Sequence, residues 1–430
     1  MKIFKYLLMC LAVNLLSAQD YTSFFIGDTN DLSTNPEFGI CLMGGAGESD
    51  EAMQWFLNLA DGGDVLVLRA SGGDGYNDYM FNQLGVNLNS VETIRVDNSS
   101  GATSAYVLQK ISQAEAIWFA GGDQADYVNF FKDNAVEDLL NEHINIKQYP
   151  IGGISAGMAI MGEYYFDALN GTVTTTQALN NPYDSRVSLG HSDFLNNPLL
   201  EKVITDTHYD NPFREGRHMA FLARLQEISG ERVFGIGIDE FTAVCIDENG
   251  TAKIFGDFPN FDDYAYFIQV NCLTDSSPEN LVANQTLNWN LGQQAVKAYK
   301  VAGTTDGSNQ FDLNTWESGI GGEWQNWWVD QGNFQFQSSS AIDCTTFSTA
   351  NFNLTEIEIY PNPTRDILKL QSRLSIQKAE IFDLLGKKIR SYDLESTSAS
   401  LELKDLKQGL YVLKVVLENS ENQTFKIIKN

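Results

Sequence analysis

The chain has 430 residues, of which 43% are hydrophobic, so it is too long for one ordinary domain and can bury a large core. Its formal net charge of −28 argues against nucleic acid as a partner. An acidic surface favours a cationic substrate, although many secreted proteins are acidic for solubility alone.

The first 18 residues have the pattern of a secretory signal peptide. A positively charged start at residues 1–5 precedes an apolar run at residues 6–16, and Ser17 and Ala18 supply the small residues of a cleavage site. The run is too short to serve as a membrane anchor. We therefore predict that the mature chain is exported.

Four cysteines remain after this segment. Cys41 and Cys245 lie in apolar, strand-like runs and are predicted to be buried thiols. Cys272 and Cys344 lie in polar, loop-rich sequence and could pair in an oxidising compartment. Four cysteines allow three pairings, and the sequence does not choose between them.

Strands and helices alternate over the first part of the mature chain. The predicted strands cover residues 38–43, 65–69, 91–96 and 116–120, and the predicted helices cover residues 51–60 and 102–114. This alternation predicts an α/β domain with a parallel sheet and helices on both faces. Ligands of such sheets gather at the carboxyl ends of strands, where the fourth strand is followed by residues 121–124, Gly-Gly-Asp-Gln.

Residues 149–162 predict a nucleophile elbow. A short apolar strand ends in Gly-Ile-Ser-Ala-Gly, residues 153–157, and a run of Ala, Met and Ile follows as a buried helix. The glycines beside Ser155 remove Cβ atoms that would collide in so sharp a turn, and the first helical N–H groups are free to face an oxyanion. Taken alone, the pentapeptide also fits a turn that merely favours small residues.

The remainder of this region is more polar. Residues 171–198 predict a long loop or a small hairpin insertion. Further strands are predicted at residues 203–208, 233–240, 242–246 and 252–255, and a helix at residues 214–228. Residues 271–349 contain Trp316, Trp324, Trp327 and Trp328, which fit either a carbohydrate-binding surface or, as we favour, a cover for the edge of the sheet.

A serine nucleophile needs a base, and the base needs an acid to hold its tautomer. Of four histidines, His208 is the best base because it ends an apolar strand, whereas the others lie in a helix-end run, in the polar insertion and inside a helix: His143, His191 and His218. Glu240 ends another strand and is the preferred acid. Asp206 and Glu163 are rival acids, and either could instead orient substrate.

Four motifs in this order resemble those of the cyanophycinases, in the peptidase family that also contains aspartyl dipeptidase. They are the Gly-Gly-Asp-Gln and Gly-Ile-Ser-Ala-Gly segments, Asp206-x-His208 followed by Arg214-x-Gly216-Arg217, and residues 235–240. The resemblance implies a class I glutamine-amidotransferase-like α/β fold. It also implies a triad of nucleophile, base and acid on Ser155, His208 and Glu240.

The same resemblance implies the rest of the site. Gly122 and Ala156 would supply the oxyanion N–H groups. The substrate pocket would be lined by Gln124, Asp206, Arg214 and Arg217, since an arginine binds an aspartyl carboxylate in a bidentate manner. No metal or cofactor is expected, because the sequence shows no metal cluster and no lysine of a phosphate-binding loop in residues 44–47.

Two departures from the family pattern concern specificity. Pro212 stands where cyanophycinases usually have an arginine, and the interval between Ser155 and His208 is long. Triad chemistry survives both changes, whereas a preference for β-aspartyl-arginine bonds does not follow from the sequence.

The last segment differs in composition, since residues 357–430 hold 12 basic and 10 acidic residues while the chain before them carries the acidic excess. Alternating apolar and polar residues predict a small all-β sandwich. It resembles the C-terminal sorting domain of the type IX secretion system in its Tyr-Pro-Asn-Pro start at Tyr360, its Asp-x-x-Gly-Lys turn at 383–387 and its Gly-x-Tyr-x-x-Lys strand at 409–414.

These observations predict four segments: a signal peptide at 1–18, a catalytic domain at 19–270, a Trp-rich extension packed on it at 271–350 and a sorting domain at 351–430. The predicted function is a secreted or surface-attached serine peptidase, exported through the periplasm, that cleaves aspartyl-linked peptides such as cyanophycin. Alternatives are a related exopeptidase on other acidic or isopeptide substrates and a binding protein on an inactive peptidase scaffold. Expected partners are the peptide substrate and the type IX secretion machinery, with a homodimer as a further candidate.

Overall fold

The computed structural model describes residues 20–273, 275–340, 344, 357–382, 387–417 and 422–429. The predicted signal peptide at residues 1–18 lies outside the described residues. The chain divides into two compact units, one up to Cys344 and one after it.

Strands make up most of the first unit. They are β1 Tyr21–Gly27, β2 Gly39–Met43, β3 Asp64–Arg69, β4 Ser90–Val96, β5 Ala116–Phe119, β6 Ile151–Ile154, β7 Tyr164–Phe166, β8 Leu189–His191, β9 Val203–Asp206, β10 Phe234–Ile238, β11 Ala243–Asp247, β12 Thr251–Phe255, β13 Tyr264–Val270, β14 Val296–Ala302, β15 Asn309–Asp312, β16 Gly319–Ile320, β17 Gly322–Asp330 and β18 Asn333–Ser338.

The helices are shorter on average than the sequence predicts. They are α1 Asp50–Asn58, α2 Gly75–Asp78, α3 Ser99–Ala102, α4 Ala105–Gln113, α5 Gln124–Phe131, α6 Ala135–Glu142, α7 Ala156–Ala159, α8 Thr175–Asn180 and α9 Glu215–Ser229, with π-helical turns at Tyr79–Gln83 and His143–Lys147 and a 3₁₀ turn at Pro198–Leu200. Side-chain oxygens of Ser49, Ser104 and Asp123 accept backbone N–H groups at the starts of α1, α4 and α5. No helix in the described part of the chain is long and apolar enough to cross a membrane.

The strands form two mixed sheets in place of the one parallel sheet that was predicted. The first has the order β1-β4-β3-β5-β6-β2-β11-β12-β15-β16, and its run from β4 to β2 is parallel. The second has the order β18-β17-β14-β13-β10-β9-β7-β8, and only β10, β9 and β7 run parallel to one another. The parallel core is therefore confirmed, and antiparallel strands extend it.

Helices cover both faces of the parallel core, as predicted. Side chains of β3 alternate: Leu66 and Leu68 pack in a core with α4, α5 and α6, whereas Val65 and Val67 pack on the opposite face with α1. The first of these cores also contains Ile236 of β10, so the two sheets share it. A third core lies between the second sheet and α9.

Two sequence-based expectations are wrong in detail. Residues 233–240 and 242–246 are not paired around a turn, because β10 belongs to the second sheet and β11 to the first. The polar insertion contains α8 and the edge strand β8 and is not simply a loop or hairpin. Both differences arise from tertiary pairing, which local pattern does not report.

The Trp-rich segment contributes strands to both sheets. Strands β14, β17 and β18 extend the second sheet, and β15 and β16 extend the first. Trp316, Trp327 and Trp328 are buried in the apolar cores and Trp324 packs against one of them, which agrees with the covering role that the sequence favoured. A carbohydrate-binding surface does not fit buried indoles.

The four described cysteines have the environments that the sequence predicted. Cys41 and Cys245 are buried free thiols on paired strands, and Cys272 and Cys344 form a disulfide. This pairing was one of the three that the sequence left open.

The second unit is an all-β domain. Its strands are β19 Glu358–Tyr360, β20 Ile367–Phe382, β21 Lys388–Glu402, β22 Gly409–Leu417 and β23 Asn422–Lys429. Hydrogen bonds join all five in one antiparallel sheet, whereas the sequence predicted a sandwich. The register of β20 shifts between Gln371 and Lys378, and the strand pairs with β19 before the shift and with β22 after it. Most of the predicted turn at residues 383–387 lies outside the described residues.

Candidate active site

Ser155 sits in a sharp turn between β6 and α7. Its φ of 52° and ψ of −116° are unusual for a non-glycine residue, and its N–H donates to the carbonyl oxygen of Met43 at 3.0 Å. A Cβ on Gly153 would collide with the backbone of Gly157, and one on Gly157 would collide with that of Phe119. The flanking glycines are therefore required by close packing, and the serine side chain remains half-buried at the carboxyl end of the parallel core.

His208 and Glu240 meet Ser155 from the second sheet. His208 follows β9 and Glu240 follows β10, two parallel neighbours, whereas Ser155 follows β6 of the first sheet. The Ser155 Oγ lies 2.8 Å from His208 Nε2, and His208 Nδ1 lies 2.6 Å from Glu240 Oε1. The sequence predicted that these three residues gather at the edge of one sheet. They gather instead where two sheets meet.

The loop after β2 holds the histidine in place. The His208 N–H donates to the carbonyl oxygen of Gly44 at 2.9 Å, and the backbone at His208 has a φ of 46°. A Cβ on Gly45 would collide with Cε1 and Nε2 of the imidazole. Sequence analysis gave this glycine loop no role, although a Gly-Gly pair at the end of a strand does signal a close approach of backbone to another group.

Glu240 accepts hydrogen bonds at both carboxylate oxygens. Oε1 faces His208, and Oε2 accepts from Asn211 Nδ2 at 3.1 Å. Partial burial raises the pKa of Glu240, but the hydrogen bonds from His208 and Asn211 outweigh it, and the net pKa is below the ordinary value. The carboxylate is therefore ionised at neutral pH, as an orienting acid must be. Asn211 was missed by sequence analysis.

The rival acids lie elsewhere. Asp206 is buried and paired with Arg217. Glu163 accepts from the Ser192 hydroxyl at 2.5 Å and from the Lys202 N–H at 2.6 Å. Neither carboxylate has a hydrogen bond to the His208 ring, so the geometry favours Glu240.

The other histidines do not contact Ser155. His143 is buried with its Nε2 3.1 Å from the carbonyl oxygen of Pro150, and burial lowers its pKa to about 4. His218 is buried with its Nδ1 3.0 Å from the hydroxyl of Tyr209, and its pKa also falls to about 4, mainly through burial. His191 is exposed on β8.

The predicted oxyanion donors lie near the serine. Gly122 lies in the loop after β5, and a Cβ on the preceding residue, Gly121, would be 3.6 Å from the Cβ of Ser155. Ala156 is the first residue of α7, where backbone N–H groups lack a partner within the helix. The two N–H groups therefore belong to segments that border the hydroxyl.

Two of the four residues that were predicted to line the substrate pocket, Asp206 and Arg217, lie in the interior. Arg217 and Asp206 are each about 97% buried or more and form a bidentate ion pair, with Nε 2.8 Å from Oδ2. Arg217 Nη1 also donates to the carbonyl oxygen of Val173 and the hydroxyl of Thr172. These contacts occupy most of the polar atoms that a substrate would need, so substrate contact does not fit these two residues.

Arg214 and Gln124, the other two of these four residues, are only half-buried. Arg214 is half-buried at the start of α9, and its Nη1 donates to the carbonyl oxygen of Thr207 at 2.9 Å. Burial, together with the neighbouring Arg217, lowers its pKa to about 10, so it is cationic at neutral pH. Gln124 is half-buried at the start of α5, with its Nε2 3.3 Å from the carbonyl oxygen of Phe166.

Among the residues that the structure describes, no group of three or more His, Cys, Asp or Glu side chains has the arrangement of a metal site. In the described part of the chain, the hydroxyl of Ser155, the imidazole of His208 and the carboxylate of Glu240 form one hydrogen-bonded row.

Comparison with known families matches two parts of the chain. Residues 76–254 match the family described as Peptidase family S51, and residues 358–430 match the secretion system C-terminal sorting domain. Ser155, His208 and Glu240 all fall inside the first match.

Three known proteins illustrate the similarity. A cyanophycinase of Trichormus variabilis is 25% identical over 177 residues, which cover 41% of this chain and 53% of the relative. A cyanophycinase of Geminocystis herdmanii is 25% identical over 228 residues, which cover 50% of this chain and 77% of the relative. The crystal structure of a peptidase from an acI-B1 Actinobacterium gives a TM-score of 0.38 at 14% identity, over 52% of this chain and 89% of the other.

The chain spans about half the length of the Trichormus variabilis relative. Within that span the matches confirm the resemblance that the motifs predicted. The chain is similar to the cyanophycinases and to peptidase family S51, and it carries a secretion-system sorting domain at its C-terminal end.

Proposed function

We propose that this chain is a serine-type peptidase in which Ser155 is the nucleophile, His208 the base and Glu240 the acid. The observation that carries the proposal is the hydrogen-bonded row from the Ser155 hydroxyl through the imidazole to the Glu240 carboxylate. The similarity to peptidase family S51 supports the reaction class.

The proposed reaction passes through an acyl-enzyme. His208 Nε2 takes the hydroxyl proton as Ser155 Oγ attacks the peptide carbonyl, and N–H groups of Gly122 and Ala156 stabilise the oxyanion. The imidazolium then gives its proton to the leaving amine as the C–N bond breaks. Water, deprotonated by the same imidazole, hydrolyses the ester and restores the serine. Glu240 holds the Nδ1–H tautomer throughout.

We propose that the substrate is an aspartyl-linked peptide, with cyanophycin as one candidate. Arg214 is cationic and half-buried beside the loop that carries His208, which suits a carboxylate of the substrate. Gln124 is the other polar candidate. Asp206 and Arg217 would act indirectly, by supporting β9 and α9.

A related peptidase on other acidic or isopeptide-linked peptides is the second candidate. Pro212, which replaces the arginine usual in cyanophycinases, favours it because that change removes a positive charge near the site. A dipeptide-library cleavage profile separates the two candidates: release confined to β-aspartyl-arginine supports the first, and a broader acidic profile supports the second.

Export is part of the proposal. The sorting domain supports passage to the cell surface or the medium through type IX secretion, after a signal peptide directs the chain to the periplasm. The glutamine-amidotransferase-like class, the functional division into a catalytic domain with an extension and a sorting domain, and a homodimer stay predictions.

The nucleophile is tested by labelling with a fluorophosphonate and by incubation with cyanophycin. We expect wild-type protein to be labelled at Ser155 and to release β-aspartyl-arginine, and we expect Ser155→Ala to lose both activities. Dipeptide release by Ser155→Ala at the wild-type rate would show that another residue is the nucleophile. A wild-type chain that neither reacts nor cleaves any library peptide would instead support a binding protein on a peptidase scaffold.

A further inference from the structure

Asn211 is a second side-chain donor to the acid of the triad. Its Nδ2 lies 3.1 Å from Glu240 Oε2, while Oε1 of the same carboxylate lies 2.6 Å from His208 Nδ1. The two carboxylate oxygens are therefore held by two different donors. Glu side chains rotate broadly about the last torsion, so a donor on each oxygen fixes which lone pair meets the imidazole.

The segment that carries the base also holds the acid. The N–H of Asn211 donates to the carbonyl oxygen of His208 at 3.1 Å, which ties the amide to the base. Next to it, Asp210 Oδ1 accepts the backbone N–H of Glu240 at 2.9 Å. Residues 208–211 therefore contact both the backbone and the carboxylate of Glu240. This segment is itself anchored, because the His208 N–H donates to Gly44.

We propose that Asn211 is a positioning residue, which fixes the rotation of the Glu240 carboxylate and thereby the orientation of the His208 imidazole toward Ser155. This inference rests on the proposed function, and it adds a residue that the family resemblance does not assign. A carboxamide suits the position because it donates without charge, whereas an aspartate would face Glu240 Oε2 with a second negative charge.

The first test uses the second-order rate of Ser155 labelling by a fluorophosphonate, from about pH 5 to about pH 9. We expect Asn211→Ala to lower the rate about 10- to 100-fold, as loss of orientation commonly does. In a plot of this rate against pH, the fall of the rate toward low pH is the acidic limb. In Asn211→Ala this limb should move to higher pH, because the amide no longer stabilises the ionised Glu240. Asn211→Asp should move the acidic limb further, since a second negative charge beside Glu240 raises the proton affinity of the His208–Glu240 pair.

Asn82→Ala is a matched control. Asn82 is also exposed, and its Nδ2 donates to a carboxylate oxygen, Asp78 Oδ1, at 2.7 Å, but it lies in the Tyr79–Gln83 turn. It should label at the wild-type rate with an unchanged profile. If Asn211→Ala and Asn211→Asp lower the melting temperature but leave the limb in place, the role of Asn211 is only structural and the proposal fails.

A second readout does not depend on reactivity. The proton on His208 Nδ1 should give a downfield resonance in proton NMR, because it is shared with a carboxylate across 2.6 Å. We expect this resonance in the wild type and in Asn82→Ala, and its broadening or loss in Asn211→Ala. An unchanged resonance in Asn211→Ala overturns the proposal. If the wild-type chain neither reacts with the fluorophosphonate nor cleaves any library peptide, the proposed function fails, and the resonance alone still decides the role of Asn211.

Discussion

At the scale of single residues, Gly45 limits where the imidazole can lie. A Cβ at this position would meet Cε1 and Nε2 of His208, and the φ of 131° at Gly45 disfavours any side chain. We expect Gly45→Ala to push the ring away from Ser155 Oγ and to lower the rate of fluorophosphonate labelling about 100-fold or more. The far-ultraviolet circular dichroism should stay that of the wild type.

Gly73→Ala is the control for this substitution. Gly73 also lies in a loop, but a Cβ there would have no heavy atom within 4 Å. Its labelling rate should match the wild type. Equal labelling of Gly45→Ala and Gly73→Ala would mean that the imidazole has room that the structure does not show.

The carboxyl group of Asp239, which precedes Glu240 in the chain, should make the stability of the fold depend on pH. Burial, followed by the charges of Asp210 and Glu215, raises its pKa from the ordinary 3.8 to about 8. Between these values the folded chain keeps the proton while the unfolded chain releases it. The contribution of Asp239 to the free energy of unfolding should therefore be largest below about pH 4 and should fall as pH rises toward about 8.

Denaturant unfolding of Asp239→Asn checks this sign. The amide oxygen can still accept the Tyr264 N–H, which lies 3.2 Å from Oδ2, and the side chain no longer titrates. We expect a flatter dependence between about pH 4 and about pH 8, with the variant more stable than the wild type at the upper end. Glu215, whose pKa rises to about 7 through burial, leaves a residual slope of the same sign. Parallel curves for the two proteins would contradict the prediction.

At the scale of elements, the parallel strands could be predicted because each is a short apolar run bounded by glycine or polar residues. Strands β2 to β5 begin and end within one residue of the predicted bounds. The partners of β10 and β11 could not be predicted, since a turn between two apolar runs looks the same whether they pair or enter different sheets. The sequence therefore suggested that Ser155 and His208 lie at the edge of the same sheet. In the structure they follow strands of two different sheets.

The ion pair between Asp206 and Arg217 joins β9 to α9 in the interior of the first unit. The sequence predicted that both residues contact substrate. A charged pair that follows a catalytic motif has the same sequence pattern whether it faces a pocket or the interior. We expect Arg217→Met to destabilise the chain by about 3–5 kcal/mol, because it leaves the buried Asp206 without its partner. Chemical denaturation measures this loss.

Arg186→Met provides the comparison. Arg186 pairs with Asp184 at 2.7 Å, but this pair is partly exposed, so its loss should cost about 0–1 kcal/mol. If Arg217→Met and Arg186→Met cost the same while Arg217→Met raises KM for substrate, Arg217 contacts substrate, as the sequence predicted.

At the scale of the whole molecule, the sequence predicted that Ser155, His208 and Glu240 lie together, and the structure joins them by hydrogen bonds. Ser155, His208 and Glu240 each lie one or two residues after the end of a strand, and strand ends are visible in the pattern of apolar residues. The supports of the triad are not visible in this way. Gly45 and Asn211 act through close approach and through one hydrogen bond, and both depend on how separate loops meet.

The division into two units predicts that Ser155 keeps its reactivity in a chain without the sorting domain. The contacts among Ser155, His208 and Glu240 and the Cys272–Cys344 disulfide all lie in the first unit. The second unit has an apolar core of its own, formed by residues that include Leu368, Leu370, Ile381, Leu413 and Val415.

A chain of residues 20–350 should therefore fold, keep the disulfide and label at Ser155 within about twofold of the full-length rate, because no triad contact is removed. Its thermal midpoint should stay within about 2 °C of the corresponding transition of the full chain, since about 1 kcal/mol shifts the midpoint by less than this in a chain of more than about 300 residues. In the secreting cell, a chain of residues 1–350, which keeps the predicted signal peptide, should not be released, because the sorting domain is absent. Loss of labelling in a truncated chain that keeps its circular dichroism and melting transition would show that the second unit takes part in the site.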